Sequence, residues 1–216
     1  MLMSATRVVH VSSHNNGLVM TDIEPRLIWN PPLEGDVACA VVCLINSTAD
    51  DGGTLGHAEP MTELAASRFL AQLNRGLEAG DIQLLLGLAG AVPTFMVMMT
   101  QSRMPNCRHT AELSKGVVHP HWRGRHLVEA AFRALVERAE LLGVEQFLLD
   151  VREGSRAHAL WQRFGFVSYG VLEDYARVGG RVHRGHYMAQ SVQSLRHRIS
   201  PTNHSSIRKV DDHGTQ

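Results

Sequence analysis

The chain has 216 residues, 44 % of them hydrophobic and 19 % charged, enough for one domain of ordinary size with a substantial core. Lys plus Arg and Asp plus Glu number 21 each, so the formal charge is zero and a broad basic footprint for nucleic acid is not expected. No apolar run approaches the ~18 residues that span a bilayer, and three cysteines are too few for a disulfide scaffold and fit a reducing cytosol.

Residues 1–24 are polar and weakly patterned and read as an N-terminal arm of uncertain order. His10, Ser12, His14, Asn15 and Asn16 stand where a signal peptide needs an apolar stretch, so the expected location is cytoplasmic. Arg26–Trp29 reads as a strand stopped by Asn30-Pro31-Pro32. Asp36 is a candidate N-cap for the apolar run Val37–Asn46, whose composition leaves strand and buried helix open. Within that run Cys39 and Cys43 sit four apart. No matching pair follows, so they read as buried core thiols rather than metal ligands. Residues 52–56 form a glycine-rich loop.

Met61–Ala79 has the stripe Leu64, Phe69, Leu70, Leu73 and Leu77 of a helix capped by Thr62 and ended by Gly80. Leu84–Leu88 and Thr94–Thr100 read as strands joined by Ala89–Pro93, and His109–His119 as a long strand. Arg123–Leu142 is the longest helix, ended by Gly143. Gln146–Val151 is nearly continuously apolar, as in a strand buried on both faces. A short helix (Arg156–Arg163), a strand (Phe166–Tyr169) and a hairpin turning at Arg177–Gly180 and ending near Tyr187–Ala189 follow. Residues 191–216 lack apolar periodicity and read as a polar, disordered tail. The order implies an α/β domain over residues 25–190 with a mixed sheet.

The junction Val117–His126 carries the most chemistry. Pro120 holds His119 extended, and the chain then turns into a helix whose first-turn amides lack helical partners. Arg123 and Arg125 add positive charge, so the spot suits an anion such as a pyrophosphate. No G-x-x-x-x-G-K-[ST] occurs, and no G-x-G-x-x-G follows a strand. His183-x-x-His186 is too sparse for a metal site, and no metal is expected.

The run V-x-P-x-x-R-G-R, a long helix, L-L-D-V at residues 148–151, and a short helix ending W-Q-R-F-G-F resemble the GNAT acetyltransferase superfamily over Thr62–Gln190. Shorter runs are similar to its tabtoxin-resistance branch: Ala111–Lys115, Leu149-Asp150, Glu153-Gly154-Ser155, Tyr175 and Gly180–His183. The resemblance implies a mostly antiparallel sheet with two splayed parallel strands, flanked by helices. It implies acetyl-CoA as cosubstrate, its pantetheine arm between His109–His119 and Gln146–Val151, beside Val117 and Val118. The pyrophosphate would lie on Arg123, Gly124, Arg125, His126, Leu127 and Val128, with Ser155 and Trp161 also at the coenzyme. Acetyl would pass directly to an amine or hydroxyl, with a backbone N–H stabilising the oxyanion.

Two departures from the family pattern stand out. His126 and Val128 replace small residues of the phosphate loop, and Trp161 replaces the tyrosine that protonates the thiolate in many members. An indole has no usable acid pKa; Tyr169 and Tyr175 are substitutes by type. Asp150 is the first candidate general base and Glu112 the second, since a partly buried carboxylate can take the ammonium proton. His119 and His121 lie near the same mouth. Tyr175, Arg181 and His183 are candidate acceptor contacts, with Arg181 gripping a carboxylate. The expected function is N-acetylation of a small, polar, amino-acid-like molecule, a toxin or antibiotic among them. The alternative is a catalytically degenerate acyl-CoA-binding module. No nucleic acid or membrane partner is expected, and the protein is expected as monomer or homodimer.

Overall fold

The computed structural model describes residues 25–48, 55–56 and 59–200. The expected arm (1–24), the tail beyond residue 200 and residues 52–54 of the loop lie outside them.

Among the described residues seven strands form one sheet: β1 (Arg26–Trp29), β2 (Ile82–Ala89), β3 (Val92–Gln101), β4 (Thr110–Val118), β5 (Gln146–Arg152), β6 (Val167–Val178) and β7 (Arg181–Ser191), in the order β1-β2-β3-β4-β5-β7-β6. Every neighbouring pair is antiparallel except β4 and β5, which run parallel. Five α-helices among the described residues flank it: α1 (Gly35–Asn46), α2 (Glu63–Glu78), α3 (Leu127–Leu141), α4 (Arg156–Arg163) and α5 (Val192–Ile199). The mixed, mostly antiparallel sheet with one parallel pair is the arrangement expected from the sequence.

Each sheet face buries its own core. On one side Ala111, Leu113, Phe147, Leu149 and Val151 pack against Phe132, Leu135 and Ala139 of α3, Phe164 just after α4, and Leu195 of α5. On the other, Leu84, Leu86, Met96 and Met98 pack against Val41, Leu44 and Ile45 of α1 and Leu73 of α2. β5 alternates: Phe147, Leu149 and Val151 are buried while Asp150 is exposed. The strand buried on both faces is thus corrected to one with a single fully buried face.

The ambiguous run 37–46 is a helix. Ala40, Val41, Leu44 and Ile45 occupy its buried arc, which leaves Cys39 and Cys43 together on the exposed arc. The reading of both as core thiols is therefore wrong. Asp36 lies in the first turn, favourable for the helix dipole, and the N-cap is Glu34. Thr62 caps α2 as expected, its Oγ1 accepting from the Ala65 N–H at 3.3 Å, but Leu64 of the expected stripe is 62 % exposed. The turn between β2 and β3 shrinks to Gly90-Ala91. β6 runs nine residues beyond Tyr169 before the Gly179-Gly180 turn, since pairing with β7 supports it on both sides of a register break between Leu172 and Ala176. Residues 192–199 are helical, not tail: Val192 and Leu195 are buried beneath α3, Ser191 caps the helix, and Arg196 meets Glu140 at 3.0 Å.

Candidate active site

The β4–β5 ladder holds for only three pairs, from Thr110↔Gln146 to Glu112↔Leu148, and then the strands part. The separation coincides with a bulge. On β3 two steps (Met96 to Met98) face three on β4 (Val117 to Ser114), and Lys115 takes a left-handed φ of 52° to absorb the extra residue. The bulge inverts the side-chain alternation. Leu113 enters the α3 core, whereas Val117 enters the α1–α2 core. Beyond the last pair, β4 has no β5 partner for its backbone.

A cavity of about 760 Å³ opens there, walled by the ends of β4 and β5 and the starts of α3 and α4. Of the candidate coenzyme residues, Val117, Val118, Arg123, Gly124, His126, Leu127, Val128, Ser155 and Trp161 line it. Arg125 does not; its guanidinium lies 4.8 Å above the Trp122 ring. A Cβ on Gly116 would sit 3.6 Å from the Trp161 indole, so the strand backbone passes close over that ring. Trp161 is held edge-on to Phe132 and Phe166, at ring-centroid distances of 5.6 and 5.0 Å.

The helical start is four residues later than the sequence suggests. Pro120–Trp122 form a single 3-10 turn, Gly124 (φ 76°) and His126 (φ 57°) are left-handed, and α3 begins at Leu127. His126 is the N-cap but makes no side-chain capping bond, so the first amides of α3 take nothing from it. Its imidazole lies 3.9 Å from Glu129, which also accepts from Arg163 at 3.3 Å. A left-handed conformation disfavours any residue with a Cβ, so glycine here would relax the loop.

A second cluster sits on the sheet face away from α3, by strand alternation. Glu112 of β4 and Asp150 of β5 share that face. Burial first, and the charge of Asp150 second, push the Glu112 carboxyl above its ordinary range. The Tyr175 hydroxyl donates to an Asp150 oxygen. Burial, that hydrogen bond and the carboxylate charge raise the phenol far above its ordinary value, so it stays protonated. The placement depends on Gly185: any Cβ there would collide with the Tyr175 ring. A break in the β6–β7 register between Leu172 and Ala176 brings the tyrosine over that gap. Lys115 Nζ donates to the Leu55 carbonyl at 2.6 Å; burial lowers its pKa and Asp150 opposes the shift.

The structure thus brings together Asp150, Glu112 and Tyr175. Arg181 opens β7 at the hairpin turn, opposite Val178, and His183 pairs with Ala176, the residue after Tyr175. Tyr169 is 63 % exposed, with its ring 6.4 Å from that of Tyr187. His119 accepts the His121 N–H at Nδ1 (3.4 Å), and burial, then His121 and Arg123, lower its pKa. Sequence reasoning missed Arg152 and Arg156, which line the cavity, and Lys115. The arginines flank Glu153-Gly154-Ser155, and the bulge at Lys115 leaves no mark in the sequence. Among the described residues no group of three or more His, Cys, Asp or Glu could hold a metal ion. No described helix is long and apolar enough to cross a membrane.

A model of the GNAT acetyltransferase family matches residues 62–166. The fold is similar to that of a GNAT-family acetyltransferase from Streptococcus pneumoniae, at 20 % identity and a TM-score of 0.61, over 77 % of this chain and 99 % of that one. It is similar to an N-acetyltransferase from Staphylococcus aureus Mu50, at 14 % identity and a TM-score of 0.64, over 77 % and 99 %. A Salmonella typhimurium protein solved with its cofactor acetyl-CoA matches at 16 % identity and a TM-score of 0.62, over 78 % and 94 %. Among curated proteins, none matches the chain.

Proposed function

We propose that the chain, which a model of the GNAT acetyltransferase family matches over residues 62–166, is a member of that family and N-acetylates a small, polar, amino-acid-like acceptor. The observation that carries the reading is the parting of β4 and β5 after Glu112↔Leu148, with a cavity on one side and a carboxylate pair on the other. Bound in the groove, acetyl-CoA supplies the activated acetyl group. The fit is physical. The space is elongated between two strand edges, the unpaired edge of β4 offers backbone groups, and the turn at Arg123–His126 presents the start of α3 to an anion.

Glu112 takes a proton from the acceptor ammonium, since its raised pKa brings it nearer the working pH. Asp150, held by Tyr175, lies beside it. As the amide C–N bond forms and the thioester C–S bond breaks, the ammonium sheds two protons. One ends on sulfur and the other in solvent. Lys115, and Arg181 and His183 on the β6–β7 hairpin, offer cationic or polar contacts to the rest of the acceptor, including a carboxylate. The short runs shared with the tabtoxin-resistance branch favour a toxin or antibiotic acceptor.

One observation favours a second reading. Trp161 stands where many relatives carry a tyrosine acid, as it would in a binder that has lost catalysis. Thiol release from acetyl-CoA, followed over a panel of amino acids and amine-bearing toxins, separates the two. Turnover above the buffer rate with at least one amine is expected. Acetyl-CoA binding with no thiol release from any amine would favour the binder.

A further inference from the structure

α4 opens with a reciprocal pair of hydrogen bonds. Ser155 is the N-cap, and its Oγ accepts the His158 N–H at 3.1 Å. In return His158 Nδ1 accepts the Gly154 N–H at 3.3 Å. This is a capping box in which an imidazole at the third helical position replaces the usual Glu or Gln and reaches one residue further back. Ser155 Oγ also donates to the Arg152 carbonyl at 2.8 Å, which ties the turn to the end of β5.

His158 is 9 % exposed, and its Nε2 is buried with no hydrogen-bond partner among the described residues. It stacks on His186 of β7, with centroids 4.4 Å apart at 24°. His186 Nε2 meets Glu153 at 3.1 Å, and its Nδ1 meets Ser168 Oγ of β6 at 3.0 Å. Arg184 of β7 meets Glu153 at 3.2 Å and Glu173 of β6 at 2.9 Å. Burial first and His186 second hold His158 below the usual histidine range, with Glu153 opposing. Gly154, Ser155, Arg156 and Ala157 all line the groove. Whatever fixes this turn fixes one wall of the groove.

Accepting at Nδ1 requires the neutral ring with its proton on Nε2. Protonation sets an N–H against the Gly154 N–H, removes the bond, and places a buried cation against a second histidine. We propose that His158 is a positioning residue whose neutral imidazole holds the Gly154–Ser155 wall of the groove, and that its protonation releases the wall and weakens coenzyme binding in acid. The inference rests on the reading of the groove as the acetyl-CoA site.

The test is the dissociation constant of acetyl-CoA from about pH 5 to 8, by calorimetry, for the wild type and His158→Asn. The asparagine amide oxygen can replace Nδ1 as acceptor and does not titrate in this range. Titration of the coenzyme phosphates is common to both proteins and cancels in the ratio of the two constants. Below the His158 pKa the wild type should weaken relative to the variant by up to about tenfold per pH unit. Relative to the variant the loss should fall on KM, with the ratio of the two kcat values nearly constant across pH. A ratio constant with pH overturns the inference. A wild type that binds no acetyl-CoA at any pH overturns the reading of the groove instead. A readout on the wild type alone guards against a variant that does not fold. Binding that prefers neutral His158 must lower its pKa, so saturating acetyl-CoA should move its NMR titration to lower pH. An unmoved titration overturns the inference.

Discussion

Glu112→Gln is expected to lower kcat by about 10²–10⁴-fold, the usual worth of a general base, with acetyl-CoA affinity nearly unchanged. Glutamine keeps the shape of the side chain and cannot accept the proton. Glu112 is preferred over Asp150 on two grounds. Burial and the Asp150 charge both raise its proton affinity, whereas Asp150 already accepts the Tyr175 hydroxyl. The pH profile carries the same argument with a definite sign. Because Asp150 raises the Glu112 pKa, Asp150→Asn should shift the acid limb of kcat/KM to lower pH. Stopped assays of thiol release across pH check both statements. An Asp150→Asn enzyme with a 10²-fold or greater loss beside a fully active Glu112→Gln would transfer the role to Asp150.

Phe132→Ala is expected to cost about 3–5 kcal/mol of stability, the range for removing a buried phenyl ring. Phe132 is 2 % exposed, and its ring contacts Phe164, Trp161 and Phe166 at centroid distances of 4.4, 5.6 and 6.4 Å. It also lines the groove, so the cavity left behind would remove the support of Trp161. For a domain of this size each kcal/mol lowers Tm by roughly 2–4 °C, a total of roughly 6–20 °C. Urea unfolding at fixed pH measures the loss, and a value below about 1 kcal/mol would mean that the aromatic cluster collapses freely around the gap.

The elements that were legible are those whose signal is local. β1 and α4 have the expected ends because Asn30-Pro31-Pro32 stops one and the Phe164-Gly165 turn stops the other. α5 was hidden by its length: eight residues carry only Val192, Leu195 and Ile199 as apolar contacts, and α3 supplies the burial that a short helix cannot. The late start of α3 depends on two left-handed residues, one of them His126, which nothing in its side chain announces. For the same reason the bulge at Lys115 was unreadable, since it arises from how β3 pairs with β4. At the site, Asp150, Glu112 and Tyr175 were readable as residue types. Their approach was not. The contact of Tyr175 with Asp150 needs the absent side chain of Gly185, a residue with no local turn to mark it. Cys39 and Cys43 show the converse limit: their spacing placed them on one face, but only the packing of α1 decided which face.

The most direct test of the account is a calorimetric titration of the wild-type protein with acetyl-CoA at neutral pH. A single saturable site is expected, with a dissociation constant between about 1 μM and 1 mM, the usual range of substrate affinities. No saturable heat at millimolar ligand, in protein shown to be folded, would contradict the reading of the β4–β5 groove as a coenzyme site.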